Sequence, residues 1–479
     1  MKTGYLVVFL LVIPQFVNAA TPPLSKPDLA RLRSPSPAPA PPPAWYLTGN
    51  FGTLPGTNFI GTRDNQALEL KVNAQRVLRL EPNDRGNANI LGGSPLNQIR
   101  PGVHGSVIAG GGGWLTCEQS EFMHCETPRL FERPQIIEGD FCFIGGGSGN
   151  RLAGLHGVIG GGLNNSIQIQ AIRGSPYGSW YSAILGGAGN SLTNCFACSI
   201  GGGGDNRMGG YSDVYSSVIS GGVYNRILYG NGATIAGGYN NYMFGQFCSI
   251  GGGYANSIEL PTGRDVDPPE DAGSIVFSTI PGGFFNTVRA NYSFVAGSLA
   301  RAKHHGVFLW ADASDLDYFS DRRFTSIRNN EFAARATGGF RFVTGNGTGA
   351  ELPAGGGSWA SQCDKNSKEN FCPVNPREIL QKVAALPLQT WNYKSQSTDV
   401  RHLGPTAQDF NAAFGLGEDE KHITNVDADG VSLAAIQGLH QMLAEKDTEI
   451  QQLKKSLWDL QKQLSSIAEK VSRSAPASP

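Results

Sequence analysis

Charge is scarce in this chain. Only 16% of its 479 residues are Asp, Glu, Lys or Arg, and 38 basic against 39 acidic side chains leave a formal net charge of -1. A chain so balanced offers no cationic surface to a polyanion, so no nucleic-acid partner is expected. Long apolar runs are missing as well: beyond the N-terminus no stretch approaches the roughly 20 residues of a membrane-spanning helix, and no membrane span is expected. The glycine-rich stretches, such as Gly145-Gly146-Gly147-Ser148-Gly149-Asn150, lack the following Lys-Ser/Thr and the helical pattern of a phosphate-binding loop. His124 near Cys117 and Cys125 offers three ligand atoms at no standard zinc spacing, so neither a metal nor a cofactor is expected.

What the chain does have is punctuation. Lys2, an apolar run from Tyr5 to Ile13 and the small-residue site Val17-Asn18-Ala19 form the layout of a secretory signal peptide over residues 1–19. Export follows, and the product is expected to be secreted or held at a cell surface. Residues 20–44 are Pro-rich, including Pro41-Pro42-Pro43, and predict an extended linker. Residues 45–85 contain the alternating stretch Leu68-Glu69-Leu70-Lys71-Val72, a half-buried strand in a small β cap.

Residues 86–303 carry most of the 64 glycines and one recurring phrase. The anchors Ile144, Ile159, Ile184, Ile200, Ile219, Ile235, Ile250 and Ile280 are each followed six residues later by Asn150, Asn165, Asn190, Asn206, Asn225, Asn241, Asn256 and Asn286. Two residues further on stands a second aliphatic: Leu152, Ile167, Leu192, Met208, Ile227, Met243, Ile258 and Val288. Looser copies begin near Leu91, at Ile108 and at Val295, where Arg301 falls in the Asn position and the series ends. A period of 15 or 16 residues suits one turn of a β-solenoid. At about 3.3 Å per residue it traces two short strands and two corners. The Gly-Gly pair serves corners that need positive φ or close backbone approach, and the Asn either turns left-handed or hydrogen-bonds the next coil.

Two positions before an anchor stand Cys142, Cys198 and Cys248, where other copies have Ser182, Ser217, Ala233, Ser278 and Ser293. They read as small inward-facing residues in a tight layer. Cys117 with Cys125, Cys195 with its neighbours and Cys363 with Cys372 are the pairs close enough in sequence to bridge in an oxidising compartment. Longer gaps at Ser175–Tyr181, Tyr211–Tyr215 and Pro261–Asp271 read as loops leaving one face, where a glycan or surface receptor would bind. His304 and His305 read as exposed turn residues, and the sequons at Asn164, Asn291 and Asn346 matter only in a glycosylating host.

With two or three aliphatic side chains per turn, a lone coil has a thin core, and burial against other copies is the expected remedy. The phrase resembles the head repeats of trimeric autotransporter adhesins. That resemblance implies a left-handed parallel β-roll in which three chains pack side by side. Residues 304–358 then read as a closing β segment ending in a Gly-rich joint.

From residue 359 to 433 the composition turns ordinary and motifs crowd together: Cys363-Asp364-Lys365-Asn366-Ser367-Lys368, Trp391-Asn392-Tyr393, and Arg401-His402-Leu403-Gly404-Pro405-Thr406-Ala407-Gln408-Asp409. This order is similar to the intramolecular chaperone domain of phage endosialidases and tail spikes, a self-cleaving peptidase family. The family assembles its preceding fibre as a trimer, and many members cut themselves before a Ser with help from a Lys five residues on. The matching positions here are Cys363 and Lys368, so the resemblance implies cleavage at Gln362-Cys363 through a thiol. His402 either orients backbone near the cut or hydrogen-bonds within the fold. Cleavage, a chaperone that stays attached, and a Cys363–Cys372 disulfide that removes the nucleophile remain three readings of this site.

Residues 434–470 carry Ile436, Leu439, Leu443, Lys446, Ile450, Leu453, Leu457, Leu460, Leu464 and Ile467 at alternating steps of three and four, a coiled coil with one polar exception. Residues 471–479 read as a disordered tail. The expected fold is therefore mainly β: a trimeric left-handed parallel β-roll or solenoid, then a C-terminal α+β chaperone domain and coiled coil. The expected function is that of a homotrimeric, adhesin-like fibre. Its alternative, a polysaccharide-processing spike, needs a facing pair of carboxylates.

Overall fold

A computed structural model describes residues 44–116, 130–170, 178–260, 274–314, 323–346 and 348–474. The signal-like segment, nearly all of the Pro-rich stretch, His124 with Cys117 and Cys125, and most of the insertions at 175 and 261 lie outside the described residues. The chain is mainly β with a long C-terminal helix, and it forms two compact units, residues 1–166 and 167–479.

In the first unit the strands Leu68–Val72 and Gln75–Glu81 form an antiparallel hairpin, and the second lies antiparallel on Asn89–Gly92. From there every coil strand is parallel. Leu91 pairs in register with Ile108, Ile108 with Ile144, and Ile144 with Ile159; opposite them Ile99, Ile137 and Leu152 form a second ladder. The antiparallel hairpin covers a sheet edge whose free backbone would otherwise recruit another strand.

The second unit repeats the arrangement over more turns. Ile184, Ile200, Ile219, Ile235, Ile250 and Ile280 stack in one parallel ladder, and Leu192, Met208, Ile227, Met243, Ile258 and Val288 in another. A third, single-residue ladder runs Ala188, Gly204, Val223, Tyr239, Tyr254, Phe284 and Ser298. Each coil thus has three faces and three corners, not the two strands and two corners expected. In the Ile250 coil the corners are Phe247 (φ 52°), Gly253 (φ 83°) and Ala255 (φ 54°). Glycine is required at Gly253 for two reasons, since its φ is left-handed and an added Cβ would stand 2.2 Å from the Gly283 carbonyl oxygen of the next coil.

The asparagines are buried, and within each unit they bond one another from coil to coil. Asn225 N donates to Asn206 Oδ1 at 3.1 Å, and Asn225 Nδ2 reaches Gly221 O and Gly238 O at 3.1 and 2.9 Å. Asn241 N then donates to Asn225 Oδ1 at 3.0 Å. The Asn takes the hydrogen-bonding role; the residue before it, such as Tyr224 or Asn240, takes the left-handed conformation. In the first unit the same ladder runs Asn97, Gln135, Asn150 and Asn165, so a glutamine fills one rung. At the other end the rung above Asn286 is Ala300, not Arg301, because Ala300 N donates to Asn286 Oδ1 at 3.1 Å. That coil carries one residue fewer between anchor and rung.

The Ser/Cys column forms a second ladder. Ser106 Oγ accepts from Cys142 N, Ser182 Oγ from Cys198 N, Ser217 Oγ from Ala233 N and Cys248 Sγ from Ser278 N. These side chains are buried and Cys142, Cys195, Cys198 and Cys248 are free thiols. Burial pushes the Cys142 thiol up to about 12 and that of Cys248 to about 11.

These ladders fill the inside of each coil, while apolar side chains such as Leu185, Tyr239, Tyr254, Phe277 and Tyr292 stay exposed on its outside, as the thin-core argument expects. The anchor isoleucines and their aliphatic partners have 0% exposure within a single chain. The polar columns fill the rest of the lumen. The Tyr211–Tyr215 insertion falls inside the strand Arg207–Tyr215, whose register jumps from Gly209 to Val214, so residues 210–213 are the extra length while Val214 is buried and pairs with Gly230. His304 and His305 do occupy a turn, with His304 Nδ1 2.8 Å from Ser326 Oγ and His305 Nδ1 accepting from Asn291 N.

Candidate functional site

The chain leaves the solenoid through a three-stranded antiparallel sheet of Gly339–Gly345, Thr348–Pro353 and Ala360–Ser361. The last strand ends against the bond of interest. Ser361 pairs with Ala350, and Gln362 N donates to Gly349 O at 3.0 Å, which fixes the acyl side of the Gln362–Cys363 peptide.

Immediately afterwards Asp364 caps a single 3-10 turn, Lys365–Ser367, by accepting from Asn366 N at 2.9 Å. Lys368 closes that turn by donating its own N–H to Lys365 O at 3.2 Å. The turn folds the chain back so that Lys368 Nζ lies 2.6 Å from Cys363 Sγ. An i,i+5 spacing in extended backbone would hold these side chains far apart; the Asp364 cap brings them together. Both side chains are exposed. Cys363 and Cys372 are free thiols, so the nucleophile position is not taken up by a disulfide.

His402 is placed elsewhere. It lies on the short strand His402–Gly404, opposite Trp391 of Gln389–Trp391. Its Nε2 is 3.0 Å from Gln396 Oε1, and its ring packs at 4.8 Å on Trp391 and 5.7 Å on Tyr393. The structure therefore joins Cys363 to Lys368 and gives His402 aromatic and amide neighbours of its own. Asp364 and Gln362, which organise the pair, carry no signal in the sequence beyond the preference of Asp for turn and cap positions.

The helices that follow are short and well capped. Asn375 caps α1 (Pro376–Ala385), and Thr406 and Gly415 bound α2 (Ala407–Phe414). α1 lies on the first part of α3 (Asn425–Ser474), where Val431, Ala434 and Ala435 are buried, and Arg377 pairs with Glu445. Gly438 allows this approach, since a Cβ there would stand 2.3 Å from Pro376 O. Beyond that contact α3 turns outward: Leu453 is 62% and Leu464 64% exposed, and Leu439, Leu443, Ile450, Leu457, Leu460 and Ile467 are exposed too.

Among the described residues, several coil carboxylates that a glycosidase reading would draw on are held in ion pairs. Glu138 is paired with Arg100 and Arg151, Glu259 with Arg289, Asp140 with His104 and Asp312 with Arg335. Among the described residues no cluster of His, Cys, Asp and Glu is arranged to hold a metal ion, and no helix is long and apolar enough to cross a membrane.

Residues 363–416 match the peptidase S74 family, described as the chaperone of endosialidase. The match begins at Cys363 itself and covers Lys368, His402, α1 and α2. It supports an intramolecular chaperone segment at the C-terminus. Comparison with curated protein sequences gives no match.

Proposed function

We propose that this chain is an exported homotrimeric fibre, adhesin-like in its repeats, whose residues 359–433 act as a trimerisation chaperone and then cut the chain at Gln362-Cys363. The contact between Lys368 Nζ and Cys363 Sγ at 2.6 Å, at the first residue of the family match, carries this reading. Lys368 takes the thiol proton and passes it to the departing peptide nitrogen as Cys363 Sγ attacks the Gln362 carbonyl; water then hydrolyses the resulting thioester, leaving a carboxylate on Gln362 and a free thiol and amino terminus on Cys363. His402 acts here as a positioning residue that stiffens the Trp391 hairpin.

The exposed stripe on α3 supports assembly. Leu and Ile at steps of three and four on a 50-residue helix bury themselves in a coiled coil of copies of this chain. Holding the chains at high local concentration favours in-register growth of a solenoid rich in contacts distant in sequence, which form slowly.

The test is the mass of the purified full-length product under denaturing conditions. Wild type is expected to yield a fragment that starts at Cys363; Cys363→Ala is expected to stay intact and Lys368→Gln to cleave far more slowly. An intact wild-type chain that is trimeric under native conditions would instead mark a retained chaperone.

A further inference from the structure

Sulfur at the nucleophile position gives the cleavage a second outcome. Attack by Cys363 Sγ on the Gln362 carbonyl forms a C–S bond, breaks the C–N peptide bond, and passes the thiol proton through Lys368 to the departing nitrogen. The product is a thioester, with the fibre's acyl group on sulfur. Amines and thiols attack thioesters in preference to water at neutral pH, whereas oxygen esters show that preference weakly. A serine in the same place would commit the site to hydrolysis.

The surroundings suit an incoming acceptor. Cys363 is exposed, and the acyl side is held still by the Gln362 N to Gly349 O bond. Beside it a cleft is lined by Arg341, Val343, Gly349, Glu351, Ser361 and Gln362. All of these lie on the fibre side of the cut, so the cleft stays with the acyl group after the peptide bond breaks. Glu351 sits in it, directly across from Arg341 in the sheet, and supplies a carboxylate to receive a cationic group.

Resting on the self-cleavage reading, we propose that this site is an acyl-transfer centre that attaches the fibre through the Gln362 carbonyl to a lysine side-chain amine. The lysine ammonium held beside Glu351 first loses one proton to solvent; the neutral amine then attacks the thioester, the new C–N bond forms as the C–S bond breaks, and the second proton passes to the Cys363 thiolate. The chaperone leaves with its thiol and amino terminus intact, and no oxidant or nucleotide is consumed.

The experiment uses the full chain, allowed to mature in the presence of Nα-acetyl-lysinamide or hydroxylamine, with mass analysis of the fibre's new C-terminus. The proposal expects Gln362 to carry the lysinamide through an isopeptide bond as the major product, and to carry a hydroxamate with hydroxylamine. Glu351→Gln is expected to lower the ratio of lysinamide adduct to free carboxylate, and Cys363→Ser to lose most of the adduct. A hydroxamate with hydroxylamine but a free carboxylate with lysinamide would overturn transfer to lysine. A free carboxylate with both probes would overturn the interceptable thioester while leaving self-cleavage standing. If no fragment begins at Cys363 under any condition, the self-cleavage reading falls, and transfer with it.

Discussion

The coils and the final helix treat the same aliphatic side chains in opposite ways. Ile200, Ile219 and Ile235 are completely hidden by their own chain, whereas Leu453, Leu457 and Leu460 stand open along α3. The coil core is closed because two polar ladders accompany the aliphatic columns and satisfy the buried backbone of the next turn. The helix has no such closure. Hiding an aliphatic side chain contributes about 1.5–3 kcal/mol, so the open stripe of α3 leaves a large stabilising contribution unrealised within one chain. The coil lumen is closed within one chain, whereas the stripe of α3 and outward-facing coil aromatics such as Tyr254, Phe277 and Tyr292 are open.

The comparison breaks most visibly at the helix. Leu453→Asp with Leu460→Asp places charges inside the stripe, and the native species is expected to fall from trimer to monomer by light scattering, with the β signal of the coils kept in circular dichroism. Loss of the β signal as well would mean that the coils depend on assembly for their stability.

A smaller effect is expected within the coils. Asn225→Ala removes the acceptor of Asn241 N–H and the donor to the Gly221 and Gly238 carbonyls. Leaving these buried groups unpaired costs about 3–5 kcal/mol, read as a lower urea midpoint of the full chain. Asn225→Asp keeps the acceptor for Asn241 N–H but sets a buried carboxylate oxygen against the Gly221 and Gly238 carbonyls, and is expected to cost at least as much.

Where α1 meets α3, Gly438→Ala forces a methyl group against Pro376 O. The expected loss is about 1–3 kcal/mol, confined to the C-terminal segment and seen as faster amide exchange in α1.

The mildest probe leaves the protein unaltered. Native alkylation near pH 8 is expected to modify Cys363 and Cys372, which are exposed, and to spare Cys142 and Cys248, whose thiols burial pushes to about 12 and about 11. Equal labelling of all four would show that the coils open readily.

The anchors and the Asn rungs were legible because a parallel solenoid places the same chemistry at the same register in every turn. Gln135 was not, since the segment 117–129 separates it from its anchor Ile108 and it is not an asparagine. The second ladder was half legible. Ser and Cys look like small fillers in a sequence, and their shared ability to accept a hydrogen bond from the next turn appears once the turns are stacked. The extra length at Tyr211–Tyr215 was legible as an insertion, and the structure takes it up as a register jump between Gly209 and Val214 inside one strand.

At the candidate site the sequence supplied Cys363, Lys368 and His402 by family order. Their geometry was beyond it.

By itself the sequence determined the repeat, the parallel stacking that follows from its period, and the heptad stripe, because these depend on spacing along the chain. The tertiary structure decided that the coil lumen is closed within one chain, that Ala300 and not Arg301 ends the Asn ladder, and that a capped turn carries Lys368 to Cys363 while His402 packs on Trp391. Those outcomes depend on where backbone groups of distant residues meet, and side-chain identity along one strand does not encode that distance.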